Sequence, residues 1–151
     1  MLHQAFVRIP DPSGVPGAGY MIMLPRFGTG RNYAHDIADD GTVVGYSAVP
    51  KKGSGYSFTA LRWRLRIPGT RPVSSNDYLV EALGPGAAYS INARGDIAGS
   101  SQDGSAVWWP GGGGIVQLAR CCEATAINDD RDIVGRGAGT GAYGRAMLWR
   151  P

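Results

Sequence analysis

The sequence predicts an all-β fold of three antiparallel four-stranded repeats plus an extra strand, arranged as propeller-like blades. Three observations predict it. One pattern of Ala, Ile and Gly recurs three times along the 151 residues. The segments carrying it are short, rich in Val, Ile, Trp and Tyr, and separated by Gly, Asn, Asp and Pro. No segment of comparable length has helical period. The 24 Gly and 10 Pro approach the level of a disordered chain, but 43% hydrophobic and 9% aromatic residues against 18% charged are enough to bury a core.

Taken in order, an Ala-led strand opens the chain as Ala5-Phe6-Val7-Arg8 and returns as Ala60-Leu61-Arg62-Trp63, Ala106-Val107-Trp108-Trp109 and Ala146-Met147-Leu148-Trp149. In the second copy Leu61, Trp63, Leu65 and Ile67 alternate with Arg62, Arg64 and Arg66, which is the period of a strand with one apolar face. A weaker apolar strand follows, at Met21 to Leu24, Leu79 to Leu83 and Ile115 to Leu118.

The third element is a hairpin: Ala34-x-x-Ile37 to Gly45, Ala88-x-x-Ile91-Asn92 to Gly99 and Ala124-x-x-Ile127-Asn128 to Gly135. Its Ile residues are spaced 54 and then 36 residues apart. A strand ends on Ile, Asn or Asp starts the turn, Gly takes the left-handed position and a second strand leaves. These elements predict about 12 strands in one domain, with units at about 3–57, 58–103 and 104–143 and a terminal strand at 144–151. The loops from Val49 to Ser57 and Gly69 to Asn76 absorb the unequal spacing. The repeat positions predict burial of Ile37, Val43, Leu61, Trp63, Ile91, Ile97, Ile127, Ile133, Leu148 and Trp149.

At these residues the chain resembles the bacterial extracellular HAF repeat family, which carries A-x-x-I-N-x-x-G-x-I-V-G followed by a G-x-x-A-x-x-W strand. His3-Gln4-Ala5-Phe6 is similar to the family's His-Ala-Phe strand start with one residue inserted, and Ala124 to Gly135 with Gly144 to Trp149 is the best-matched copy. It departs by Arg131 at the turn glycine; the second copy has Ala98 for Val and the first has Ala38 for Asn. The resemblance implies a secreted or cell-surface β-repeat protein, propeller-like, with no settled activity. The start from Met1 to Phe6 lacks the basic and apolar regions of a signal peptide. A propeller needs about four to eight blades, so three units predict partnership with further copies of the chain, as a homo-oligomer, or with neighbouring repeats. A β-trefoil, also made of three four-stranded units, is the alternative.

The side chains point to binding and not to catalysis. His3 and His35 are the only histidines, and neither has a Ser or Cys neighbour in a nucleophile setting. Asn128-Asp129-Asp130-Arg131-Asp132 starts like a calcium loop, but Ile133 stands at the sharp-turn Gly position, so the segment reads as a turn. Arg94-Gly95-Asp96 falls in the equivalent turn, and the Gly111 to Gly114 run lacks the Lys of a phosphate loop and reads as a hairpin tip. No metal or cofactor is expected.

Trp63, Trp109 and Trp149 share one repeat position and read as core, whereas Trp108, on the opposite face of its strand, reads as an outward platform for a sugar ring. Arg62 and Arg64 are the charged companions such a platform needs. The expected function is therefore a lectin-like recognition module with Trp108, Arg62 and Arg64 at its site and a glycan as ligand. The alternative is a structural or protein-interaction segment without a small ligand. The net charge of +3 is small for nucleic acid, and no apolar run is long enough to span a membrane. Cys121 and Cys122 are adjacent, which gives neither a disulfide framework nor a metal spacing; on a strand they would face opposite ways.

Overall fold

The computed structural model describes residues 3–111, 113–137 and 144–151. Among these the chain is all-β, with twelve strands: β1 (Phe6–Pro10), β2 (Gly19–Met23), β3 (Arg31–Ile37), β4 (Val43–Pro50), β5 (Tyr56–Leu65), β6 (Tyr78–Ile91), β7 (Ile97–Ser101), β8 (Ala106–Trp109), β9 (Val116–Ala119), β10 (Cys122–Ile127), β11 (Ile133–Gly137) and β12 (Arg145–Trp149). One 3₁₀ turn, Ser75–Asp77, precedes β6. Gly112, within the expected hairpin tip, and residue 143, the expected end of the third unit, lie outside the described residues.

Every pairing among these strands is antiparallel and joins consecutive strands, and no sheet closes into a barrel. β1 and β2 form one sheet, β10 to β12 another, and β3 to β9 a long sheet between them. The long sheet is two four-stranded meanders sharing a strand. Tyr78 to Pro85 of β6 pairs with β5, and Gly86 to Ile91 of the same strand pairs with β7. The repeat pattern places Leu79 to Leu83 and the hairpin from Ala88 in separate elements. The structure runs from one to the other with Gly84 at φ 129° and Gly86 at φ 140°, backbone that side chains rarely adopt, so the chain passes from one meander to the next without a loop.

The three hairpins have one geometry. Ile37 faces Val43, Ile91 faces Ile97 and Ile127 faces Ile133. The turns bond identically: Ala38 N–H donates to Thr42 O, Asn92 N–H to Asp96 O and Asn128 N–H to Asp132 O, at 2.9 to 3.1 Å. Gly41 and Gly95 take the left-handed conformation, at φ 84° and 78°, and Arg131 takes it at φ 69° in the third copy. A β-bulge interrupts each hairpin at one place, leaving His35, Tyr89 and Thr125 outside the ladder. The bulge explains the last glycine of the motif. A Cβ on Gly45, Gly99 or Gly135 would stand within 2.0 Å of the carbonyl oxygen of Tyr33, Ala87 or Glu123, so only Gly fits there.

The β1–β2 sheet, the β3 to β6 meander, the β6 to β9 meander and the β10 to β12 sheet are four layers, first to fourth, and their face-to-face stacking builds three cores. Ala5, Val7, Ile22 and Leu24 of the first layer pack on Val43, Leu61, Trp63 and Tyr78. Val44 and Ala60, on the other face of the second layer, pack on Ala88, Ile91, Ile97, Val107 and Trp109. Ala98 and Ala106, on the other face of the third, pack on Cys122, Ala124, Ile127 and Ile133, with Trp149 partly buried beside them. Val43, Leu61, Trp63, Ile91, Ile97, Ile127 and Ile133 are buried as their repeat positions predict.

Two expected core residues are exposed. Leu148, 54% exposed, stands at the repeat position of Arg62 and Trp108, one residue out of phase with the inward set of Met147 and Trp149. Ile37 is 51% exposed although Ile91 and Ile127 are 7% and 8% exposed, because each of those is covered by the preceding Ala-x-x-Ile hairpin and, among the described residues, no hairpin of that type precedes Ile37. Cys121 and Cys122 also depart from strand alternation. Cys121 sits in the turn before β10, and the two sulfurs lie 2.8 Å apart.

Candidate functional site

Successive hairpins are tied to one another by polar side chains. The carboxylate of Asp36 accepts from Ser90 Oγ at 2.9 Å and from Ile91 N–H at 3.0 Å, and Ser90 Oγ in turn accepts from Ile127 N–H at 3.3 Å. Asn92 Nδ2 donates to Asn128 O, and Ala93 N–H to Asp129, both at 2.9 Å. Arg131 reaches back to Asp96 at 2.8 Å. These contacts fix where the bulged residue of each hairpin points relative to its neighbours.

All three bulged residues line one cleft of about 400 Å³, formed by His35, Tyr89, Thr125, Glu123 and Arg136. A bulge re-aims a side chain out of the alternation of its strand, which makes it a recurrent device beside binding sites. Through Tyr89 and Glu123 the cleft continues into a second hollow of about 290 Å³, walled by Tyr46, Phe58, Ser100 and Gln102. Aromatic rings fill one side: His35 stacks on Tyr46 with centroids 5.3 Å apart and meets Tyr89 edge-on at 5.2 Å, and Tyr46 continues to Tyr33 and Phe58. On the other side Arg136 Nε donates to Glu123 at 2.8 Å, an exposed ion pair with spare donors and acceptors.

Crowding by the rings pushes the His35 imidazole below its ordinary value, so the ring is neutral at pH 7. Burial, with Tyr33 and Tyr89 nearby, pushes the Tyr46 hydroxyl up, so it stays protonated as a donor. The wall therefore offers flat ring faces, neutral donors and acceptors, and one charge pair. A proton titration of the His35 ring followed by NMR should show a midpoint below about 6.5; a midpoint above that would show a solvated or carboxylate-paired ring. Another hollow, of about 470 Å³, lies between Ile9, Ile37, Leu65 and Arg71. Its Arg71 is already bonded to the Pro10 carbonyl and stacked on Tyr20.

Of the expected site residues, Arg62 and Arg64 are brought together on Glu81, but Trp108 does not join them. Trp108 leaves the face that carries Trp109, as strand alternation requires, but the β10 to β12 sheet covers the face it enters. Its indole is half-buried, lies 5.7 Å from the Arg131 guanidinium, and has its Nε1 buried. It is an interlayer contact and not an outward platform. Arg62 and Arg64 both donate to Glu81 across β5 and β6, each from Nε at 3.1 Å. Hydrogen bonding from Arg64 acts first in holding the Glu81 carboxyl below its ordinary value; burial opposes this and Arg62 adds to it. Arg62 also borders a 320 Å³ hollow beside Trp109.

Trp109 shows what sequence equivalence misses. Trp63 Nε1 donates to Pro25 O at 2.8 Å, a carbonyl on the loop between β2 and β3. Before the next layer β6 runs on without a loop, and Trp109 Nε1 is buried without an acceptor among the described residues. His35, Tyr89 and Thr125 carried one signal in the sequence: they are a variable position inside a constant frame, between the Ala and the Ile of each motif.

Comparisons of the chain with protein-family models, with curated proteins and with solved structures return no match. Among the described residues, no group of three or more His, Cys, Asp and Glu is placed to hold a metal, and no helix is long and apolar enough to cross a membrane.

Proposed function

We propose that this chain is a binding module of propeller-like blades, without catalytic activity, that seats a carbohydrate or similar polyhydroxylated ligand against His35, Tyr89 and Thr125. The observation that carries the reading is the convergence of the three bulged side chains on one cleft. Tyr89 and His35 offer ring faces to C–H groups, while Glu123, Arg136 and Ser100 offer partners for hydroxyls. The blade reading draws support from four-stranded meanders stacked face to face, from the shared hairpin geometry, and from the resemblance to the HAF repeats, on which a secreted or surface location also rests. No sheet closes into a barrel among the described residues, which favours blades over a trefoil.

A glycan array with the purified chain tests the proposal. Retention of a glycan class is expected, with the signal falling about tenfold or more for Tyr89→Ala and His35→Ala, a loss of the size that truncating a central contact produces. Arg64→Ala, remote from the cleft, should leave it unchanged. An array without retention, or one on which Tyr89→Ala binds as well as the unaltered chain, removes the cleft as the site.

A further inference from the structure

The three interlayer cores bury the same repeat positions, and the two outermost faces of the stack present those positions to solvent. On the β10 to β12 sheet, Val134 stands where Val44 and Ala98 are each 0% exposed, and it is 45% exposed. Ala146, at the position of the buried Ala60 and Ala106, is likewise exposed, beside Leu148. At the opposite end Phe6 takes the place of Leu61 and Val107, which are 0% and 2% exposed, and is 54% exposed. Met21, at the position of the core-packed Val80, is 67% exposed, and Met23, paired with Phe6, is 49% exposed. Each apolar set has one exposed Arg beside it, Arg8 paired with Met21 and Arg136 paired with Ala146, and exposed apolar clusters of this kind mark contact surfaces. One is a forward face and the other a backward face of the same interface type, so each complements the other and not itself.

We infer that a second copy of this chain docks head to tail, its Phe6, Met21 and Met23 face stacking on the Val134, Ala146 and Leu148 face. The ties between hairpins favour this occupant. Asp36 and Ser90 each hold the Ile amide of the next hairpin, whereas the third hairpin has Ala126 at that position, with no side-chain acceptor. A following layer like the third or fourth would bring an Ile amide that needs one, whereas the Ile37 amide of the second layer donates to its own Asp36 at 2.9 Å. The first layer of another copy brings β1 and β2, which contain no such hairpin. The contact is heterologous and makes a ring where the rotation closes. Two copies supply about eight layers, within the range of closed propellers, so the assembly is a dimer. The inference rests on the blade reading but not on the ligand: the substituted residues Phe6, Met21, Val134 and Leu148 do not line the His35, Tyr89 and Thr125 cleft, so the glycan result does not decide it.

Sedimentation of the full chain over a concentration series tests it, with twice the 15.9 kDa chain mass expected. Phe6→Arg and Leu148→Arg should each give the single-chain mass, with unchanged far-UV circular dichroism showing that both still fold. Met21→Lys and Val134→Lys are the second pair should either first variant misfold. A mixture of one head variant with one tail variant retains one intact head-to-tail contact, so it should associate more strongly than either alone. A single-chain mass for the unaltered protein at every concentration overturns the inference. So does a dimer mass that survives both substitutions, or a mixture no more associated than its components.

Discussion

Trp63→Ala is expected to destabilise the chain by about 3 to 5 kcal/mol, the range for removing a fully buried aromatic side chain. Trp63 is 0% exposed and sits in the first core among Leu61, Val43 and Tyr78 of its own layer and Val7, Ile22 and Leu24 of the first. Truncation opens a cavity between two sheets, and sheets held at several points cannot collapse to fill it. The Pro25 carbonyl also loses its donor at 2.8 Å. Trp149→Ala, at the same repeat position but only partly buried, should cost clearly less. Urea unfolding compares the two, and equal midpoints would mean that burial does not set the contribution of this position.

Asp96→Ala should be the most damaging polar substitution, at about 3 kcal/mol. The Asp96 side chain is 1% exposed and gathers three donors: Gly111 N–H at 3.0 Å, Asn92 Nδ2 at 3.2 Å and Arg131 Nε at 2.8 Å. One carboxylate thus fixes its own turn, the loop after β8 and the next hairpin. Burial alone would raise its pKa, but Arg131, the Gly111 amide and Asn92 outweigh burial and hold the carboxyl below the usual range. A depressed carboxyl stabilises the fold fully above the unfolded value of about 4 and loses that contribution as pH falls through the folded value. The gap between Asp96→Ala and the unaltered chain should therefore narrow in acid. Arg131→Gly should cost less, since it removes the ion pair but relieves the left-handed backbone of Arg131, at about 1 kcal/mol. A gap that stays constant down to about pH 2 would show that the carboxylate is not the source of the effect.

The hairpins were legible in the sequence because Ala, Ile and Gly at fixed spacing report constraints local to a turn. Gly95 carries the left-handed residue, and Gly99 the carbonyl approach of Ala87. The candidate site was less legible. An Ala-x-x-Ile spacing reads as plain strand, and the extra residue of a bulge shows only once the partner strand is aligned. Trp108 was misplaced for a related reason: alternation tells which face a side chain leaves by, but not whether another sheet covers that face. Leu148 was a one-residue phase error in a five-residue strand, too short for its own period to correct it. Ile37 could not be placed from repeat equivalence, because its burial depends on what precedes the repeat and not on the repeat itself.

The bulged position also shapes how such a protein can diversify. His35, Tyr89 and Thr125 sit outside the ladder, so the pairing on either side continues whatever side chain stands there. Swapping residues at those positions rewrites the chemistry of the cleft while the cores, turns and interlayer bonds stay as they are. On the proposed reading, the architecture separates the residues that build the fold from those that would contact a ligand. Three independent letters, each drawn from the full amino-acid alphabet, give a large vocabulary of surfaces on an unchanged frame.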